Sequence, residues 1–505
     1  MEAAHQRLIE RFGSMAEENA HLSETVKALS KKLDDVSRQQ AADGDDADGP
    51  SGAAEDPAPL GAEISDEAIT GGLTTPSTTP ASKKYRLPVK GFVDQNYAQR
   101  YGFVLQTDDE EYELRLNGLV QLDSRMYEQG NQIPIVSDLD MPRTRLYFSG
   151  RLTRPIEYQI SLQRGSNNFD VLNAYFNFHF DDRVQLRFGR YRVPYTYEWA
   201  KVSNWEMSTP ERSPFAANFG PNRQIGFMGW GNILQNRLEY AVGIFDGPRN
   251  SYQDFNNAKD VVAFADIRPF FETDSKSPLR NLSFGASVDA GRQNNPTVPA
   301  LLRGSINASG NTLASGAGDA IIAVPFLAFN NNVRERGDRT LWELHGTYFY
   351  KGFMLMGAWD FGHNDFARVS TAASQPPPVH LPVSGYYVHA AYLLTGEERD
   401  KITLVSPLHP FNLKPGKFGL GAWELSARYG EVSVGEEVFT QGLADPNLWT
   451  NQARFVDLGI NWFMNRYVKF MFDWQHGMYA DPVVFRPGQF QLTSDLFWLR
   501  FQLYF

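Results

Sequence analysis

The stretch FWLRFQLYF, Phe497–Phe505, alternates strictly. Phe497, Leu499, Phe501, Leu503 and Phe505 fall on one side of an extended chain, and Trp498, Arg500, Gln502 and Tyr504 on the other. A side-chain period of two marks a β-strand. The two faces differ in kind, since one is wholly apolar and the other carries a cation and an amide. Such a strand needs an apolar medium on one side and a polar one on the other.

The same alternation recurs upstream. In NAYFNFHF (173–180), Ala174, Phe176, Phe178 and Phe180 oppose Tyr175, Asn177 and His179. In YVKFMFDWQ (467–475), Val468, Phe470, Phe472 and Trp474 oppose Lys469, Met471, Asp473 and Gln475. In WELSARY (423–429), Trp423, Leu425, Ala427 and Tyr429 oppose Glu424, Ser426 and Arg428. Period and turn signals predict sixteen strands at about 112–125, 143–152, 156–164, 171–180, 184–192, 224–232, 237–245, 260–270, 281–290, 340–350, 353–362, 385–394, 422–430, 453–463, 467–475 and 494–505. YGFVLQ (101–106) reads as a further short strand. Short links (TRPI, DDR, LQN, KG, MNR) follow strands two, four, six, ten and fourteen, and long ones follow odd-numbered strands. Only 271–280 and 395–421 break that rule. Tight turns on one rim and long loops on the other describe a barrel.

What separates a membrane barrel from a soluble sandwich is which face is polar. The chain has 36 Phe, 22 Tyr and 10 Trp, and the faces opposite its apolar rows carry Arg, Gln, Asn, Asp, Glu and Lys. A polar interior inside an apolar exterior is stable only with lipid outside and water within, and closure removes the sheet edges that would aggregate. Residues 85–505 are therefore expected to form an all-β, 16-stranded antiparallel transmembrane β-barrel.

The bulk numbers agree. Hydrophobic residues make up 42% of 505, with a mean hydropathy of -0.41, and no run of about 18 apolar residues occurs. The nearest, AIIAVPFLAF from Ala320, is interrupted by Pro325. Cysteine is absent, which excludes disulfides and thiolate metal sites. The formal charge of -11 divides into 8 basic and 16 acidic residues over 1–84, and 40 and 43 over 85–505. So balanced a barrel is not a nucleic-acid surface. MEAAHQRLIERF lacks a basic-then-apolar leader; with a membrane barrel downstream, the expectation is that a signal peptide has been removed.

Two segments precede the barrel. Residues 1–40 carry a heptad repeat with Phe12, Asn19, Val26 and Leu33 at a and Leu8, Met15, Leu22, Leu29 and Val36 at d. This narrow seam with charged flanks predicts a coiled coil, with Asn19 fixing register at some cost in stability. Residues 41–84 are rich in Gly, Pro, Ala, Ser, Thr and Asp and predict a solvated acidic linker. DGDDADG within it has Ala47 at the fifth position of a calcium loop and no Glu at the twelfth, so no metal is expected there.

RTRLYFSGRL (143–152), RFGRYRVPY (187–195) with ERSPF (211–215), AAYLLTGEER (390–399), GAWELSARYG (421–430) and LGINWFMNRYVKFMFDW (458–474) resemble the phosphate-selective porin O and P family of Gram-negative outer membranes, the match covering roughly 101–505. The resemblance implies a barrel that sits in outer-membrane lipid, assembles as a homotrimer and passes small anionic solutes through a constriction. It also implies inward arginines along the wall and a lysine on the loop between the fifth and sixth strands, about 193–223. Arg143 and Arg145 match an arginine pair and share a face with Arg151; Lys201 is the counterpart of the loop lysine. Alternation turns Arg187 into the lumen, and the loop adds Arg212 and Arg223 beside Glu198, Glu206 and Glu211. Arginine suits the role because it keeps its charge and grips an oxyanion with two parallel N–H groups. The competing expectation is that these arginines pair with Glu206 and Glu211 and leave the wall without preference. The link 395–421 either enters the lumen with Arg399, Lys401, Lys414 or Lys417, or packs at a trimer axis.

No HExxH pair, GxSxG elbow or Gly-rich phosphate loop occurs, so neither an enzyme nor a cofactor is expected. A general unselective porin is one alternative. The other is a structural envelope tether, anchored by the barrel and binding peptidoglycan or a periplasmic partner through residues 1–84.

Overall fold

The computed structural model describes residues 102–505 except 108, 110, 129–136, 166–167, 251, 273–275, 305–323, 370–374 and 487. The expected coiled-coil seam and acidic linker lie outside the described residues. The strands are β1 (Phe103–Gln106), β2 (Glu113–Tyr127), β3 (Asp138–Thr153), β4 (Ile156–Gly165), β5 (Asn168–Asp181), β6 (Val184–Arg192), β7 (Arg223–Ile233), β8 (Leu238–Phe245), β9 (Asp260–Ile267), β10 (Asn281–Pro296), β11 (Leu301–Arg303), β12 (Pro325–Ala328), β13 (Val333–Tyr350), β14 (Phe353–Arg368), β15 (Val379–Leu393), β16 (Ala422–Val434), β17 (Gln452–Phe463), β18 (Val468–Arg486) and β19 (Gln489–Tyr504). Three short helices, α1 (Tyr197–Lys201), α2 (Pro214–Phe219) and α3 (Glu437–Thr440), complete the described elements.

Each wall strand pairs antiparallel with its neighbours, from β2 through β10 and from β13 through β19. The ring closes where Leu496–Tyr504 of β19 meet Leu119–Tyr127 of β2. That makes sixteen staves, each overlapping one of the sixteen expected strands. YGFVLQ is the extra strand β1, which occupies the edge of β2 beyond the end of β19, with Phe103 opposite Leu116. At the join, Phe505 and Gly118 exchange both backbone bonds (3.0 and 3.1 Å). A Cβ on Gly118 would lie 2.4 Å from the Phe505 ring, so only glycine lets the ring fold over the seam.

Burial settles which face is which. In β19, Arg500 is 0% exposed and Leu499 44%. Phe176, Leu425 and Phe472 are likewise exposed, and Asn177, Arg428 and Asp473 buried. The barrel is inside-out, with a wall that turns apolar rows outward and polar rows inward. Links between β3–β4, β5–β6, β7–β8, β13–β14 and β17–β18 are short and define a short-turn rim. Most links on the opposite, long-loop rim are longer. Those between β4 and β5 (166–167) and between β18 and β19 (487–488) are two residues, because these strands run further than the alternation predicted.

Several segments turn into the lumen. The long connection between β6 and β7 is buried almost throughout, as is the hairpin of β11 and β12. That hairpin meets α2 through Asn218, which donates to the Arg303 carbonyl (2.7 Å) and accepts from its N–H (3.0 Å). The exceptional link between β15 and β16 divides its behaviour. Ile402, Leu404 and Val405 are buried, with Leu404 against Trp205 and Tyr504. Residues 413–418 are exposed. Of the four basic residues expected to enter, Arg399 and Lys401 do so and Lys414 and Lys417 do not.

Candidate functional site: the barrel lumen

The connection 193–222 enters the lumen because wall side chains satisfy its backbone. At its start Thr196 adopts a left-handed conformation (φ 59°), and its hydroxyl caps α1 by accepting from the Trp199 N–H (3.3 Å). The Tyr197 N–H donates to Glu343 on β13 (2.6 Å). The segment 205–211 then runs along β16 to β19, and its carbonyls meet a row of donors. Gln502 donates to Trp205 O (2.9 Å), Lys469 to Met207 O (2.6 Å), Ser426 and Asn461 to Ser208 O (3.1 and 2.9 Å), and Arg428 to Glu211 O (2.8 Å). A buried loop must find partners for every carbonyl it takes out of water, and this wall supplies them.

The sequence-expected site residues fall into three groups. Arg143 is an anchor: its guanidinium grips both carboxylate oxygens of Glu211 (2.7 and 2.6 Å), a residue Arg500 also holds (3.0 Å) while pairing with Asp123. Here the wall arginine meets a loop glutamate, the pairing weighed as the unselective alternative. Arg151 shares Glu113 with Arg115 near the short-turn rim (3.4 and 2.9 Å). Lys201 is also paired, with Glu239 on β8, in a cavity that includes Asp266, Arg268 and Lys401.

The remaining arginines also make contacts with neutral groups. Arg145 bonds Gln163 and Asn204 on the lumen side of β3. Arg187 lies over the rings of Tyr175 (4.3 Å) and Trp230 (5.0 Å). Arg212 donates to the carbonyls of Glu198 (3.2 Å) and Val202 (2.7 Å) and stacks on Trp199. Arg223 donates to Asn173 (2.9 Å). Ring stacking and carbonyl contacts hold a guanidinium in place without cancelling its charge.

Protonation in the loop follows the same contacts. Burial pushes the Glu211 carboxyl up, but Arg143 and Arg500 outweigh it and bring it down to about 2. Glu206 lacks such a clamp. Burial pushes it up to about 7, against the opposing pull of Lys401 and the Ser203 N–H. Burial also lowers Arg212, to about 9, with Arg192 adding to the effect.

Buried charge on the wall is segregated. Among the described residues of β2–β7, nine buried arginines (115, 125, 143, 145, 151, 187, 190, 192, 223) face four carboxylates (Glu113, Asp123, Glu157, Asp170). Among the described residues of the wall strands β8–β10, β13 and β14 the balance inverts, with seven buried carboxylates (Glu239, Asp260, Asp266, Asp289, Glu335, Glu343, Asp360) against one buried arginine, Arg339. Sequence reasoning found the basic side and missed the acidic one. Its signal was there: Asp260, Asp266, Asp289, Glu343 and Asp360 sit within the predicted strands. The anchoring role of Arg428, Lys469 and Arg500 was missed too, because lumen parity identifies a facing residue without its partner.

Residues 114–505 match the family model of the phosphate-selective porins O and P. The chain belongs to this family. Among curated relatives it is 23% identical to Porin O of Pseudomonas aeruginosa over 382 residues, 73% of this chain and 83% of that protein. Solved structures similar to this family member include the anion-selective porin of Comamonas acidovorans (11% identity, 78% of this chain and 100% of that one, TM-score 0.42). The outer membrane channel DcaP of Acinetobacter baumannii is another (10% identity, 80% and 99%, TM-score 0.43). Family and inside-out barrel together make this an outer-membrane channel protein.

Proposed function

We propose that this channel passes small solutes by passive diffusion and prefers anions, phosphate-like oxyanions included, along the β2–β7 side of its lumen. The observation that carries this is the excess of five buried arginines over buried carboxylates on that wall, where the half-buried Asp138 and Asp140 pair with Arg125. Guanidinium groups fixed on rings and amides present their charge with little reorganisation. A row of them lowers the barrier to an anion while no single one grips it too tightly for release. A name among the similar structures, an anion-selective porin, points the same way.

The reading extends to assembly and placement. The short-turn rim faces the periplasm, as in outer-membrane barrels generally. Three copies form a trimer, the state in which one similar structure, OmpT of Vibrio cholerae, has been described. The heptads of residues 1–40 then join beneath it, on a linker that leaves the periplasmic coiled coil able to reach peptidoglycan or a periplasmic partner.

The acidic β8–β14 wall favours a second reading, a general porin whose two walls steer cations and anions apart without net preference. Single-channel recording in planar bilayers separates the two. Chloride conductance that phosphate blocks in a saturable way supports the first; large steps indifferent to phosphate support the second. Absence of conductance would sink both.

A further inference from the structure

On the outer wall near the long-loop rim, His363 and Asp365 of β14 and His380 of β15 converge. Their ligand atoms, two imidazole nitrogens and a carboxylate oxygen, all lie within 4.8 Å of one another. All three lie on the outward face, apart from the lumen contacts.

Three features make this an arranged cluster. First, strand register places it. Residues two apart share a face, so His363 and Asp365 project together, and Asp365 pairs directly with His380. The residue opposite His363 is Pro382, and the two imidazoles approach to 4.2 Å between ring centroids. Second, a bulge aims the carboxylate. Pairing between β13 and β14 skips from Glu335–Phe366 to Arg339–Asn364, leaving residues 336–338 outside the ladder opposite Asp365. The N–H of Asp338, released from the ladder, donates to Asp365 Oδ2 (3.0 Å), which leaves Oδ1 facing His380 Nδ1 (3.1 Å). Bulges recur where a strand must re-aim a side chain, and a backbone donor on the outer oxygen is how ligating carboxylates are commonly oriented. Third, Gly337 makes room. It adopts φ 124°, and a Cβ there would lie 2.5 Å from Asp365 Oδ2.

The geometry points to a transition-metal site of the zinc class formed by His363, Asp365 and His380. Two imidazoles and one carboxylate suit Zn²⁺, Ni²⁺ or Cu²⁺ and not Ca²⁺ or Mg²⁺, which take oxygen-rich shells. Bonds of about 2.0–2.2 Å need the donors somewhat closer than they stand. Side-chain rotation supplies this, since the His380 side chain is 63% exposed and open to solvent. Three protein ligands leave a fourth position facing outward for water. The ion would pin the long-loop ends of β14 and β15 together from outside the barrel.

Zinc titration by calorimetry of the full-length, detergent-solubilised protein after chelator treatment tests this. The comparison uses His363→Ala, His380→Ala, the double variant, and His409→Ala as an unrelated exposed histidine. One ion per chain is expected, with affinity falling about tenfold or more in each single variant. Binding should vanish in the double variant and stay unchanged in His409→Ala. Heat-modifiable gel mobility checks that each barrel is folded, and cobalt absorption, expected only when both histidines are present, reports ligation directly. Absence of saturable zinc binding, or binding that survives the double substitution, overturns the site and leaves an ordinary surface hydrogen-bond cluster. Neither result bears on conduction through the lumen.

Discussion

Glu211 and Glu206, five residues apart on one buried loop, are expected to behave oppositely. Glu211 is an anchor clamped by Arg143 and Arg500. Removing one partner of a buried pair leaves uncompensated charge, so Arg143→Ala should cost about 3 kcal/mol. The double variant Arg143→Gln, Glu211→Gln should recover much of that, and thermal unfolding in detergent compares them. With its carboxyl held down to about 2, Glu211 contributes stability that persists above the ordinary glutamate range and is lost only as pH falls toward 2. Glu206 has the reverse sign. Its raised value near 7 means that its stabilising contribution is present below about 4.5, the ordinary glutamate value, and is lost as pH rises through 7. The same titration adds a negative charge to the lumen. Anion preference should therefore decline from pH 6 to pH 8, and Glu206→Gln should flatten that dependence. An unchanged slope in the variant would assign the titration elsewhere.

At the scale of elements, two of the inward segments have separate supports. The 193–222 loop hangs on carbonyl-to-wall bonds from Lys469, Asn461, Ser426 and Gln502. Residues 397–407 enter from the other rim, with Arg399 on Glu424 (2.6 Å) and Leu404 against Trp205. Replacing 397–407 by a short Gly–Ser connection should raise single-channel conductance while the barrel still folds, because no wall strand depends on that segment for pairing; unchanged conductance would mean that it lies outside the ion path. Much of the wall was legible in sequence because lipid and water impose opposite demands on alternate residues of every strand. The period that places Arg500 inward and Leu499 outward is local. The loop's destination is not local. Whether Arg143 meets an anion or Glu211 depends on how a thirty-residue connection folds back, and no periodicity encodes that. The link 395–421 shows the same limit, since length alone marked it as unusual without saying which half would turn inward. The β13 bulge beside Asp365 escaped for a related reason, since one strand's sequence does not reveal its register with the next.

Over the whole molecule, the described lumen wall has a basic arc on β2–β7, an acidic arc on β8–β10, β13 and β14, and a mixed arc on β15–β19, while the coiled coil proposed for residues 1–40 is tested separately. Deleting residues 1–84 should leave single-channel conductance unchanged and lower the temperature at which trimers dissociate on gels; equal dissociation temperatures would remove the coiled coil from assembly. The central claim is that the basic arc sets selectivity. It is tested most directly by the zero-current potential across a KCl gradient, measured for the natural chain and for Arg145→Gln combined with Arg187→Gln. The expected result is a potential of the sign set by chloride in the natural protein, reduced toward zero in the double variant. A potential of the sign set by potassium, or one the double variant leaves untouched, would contradict it.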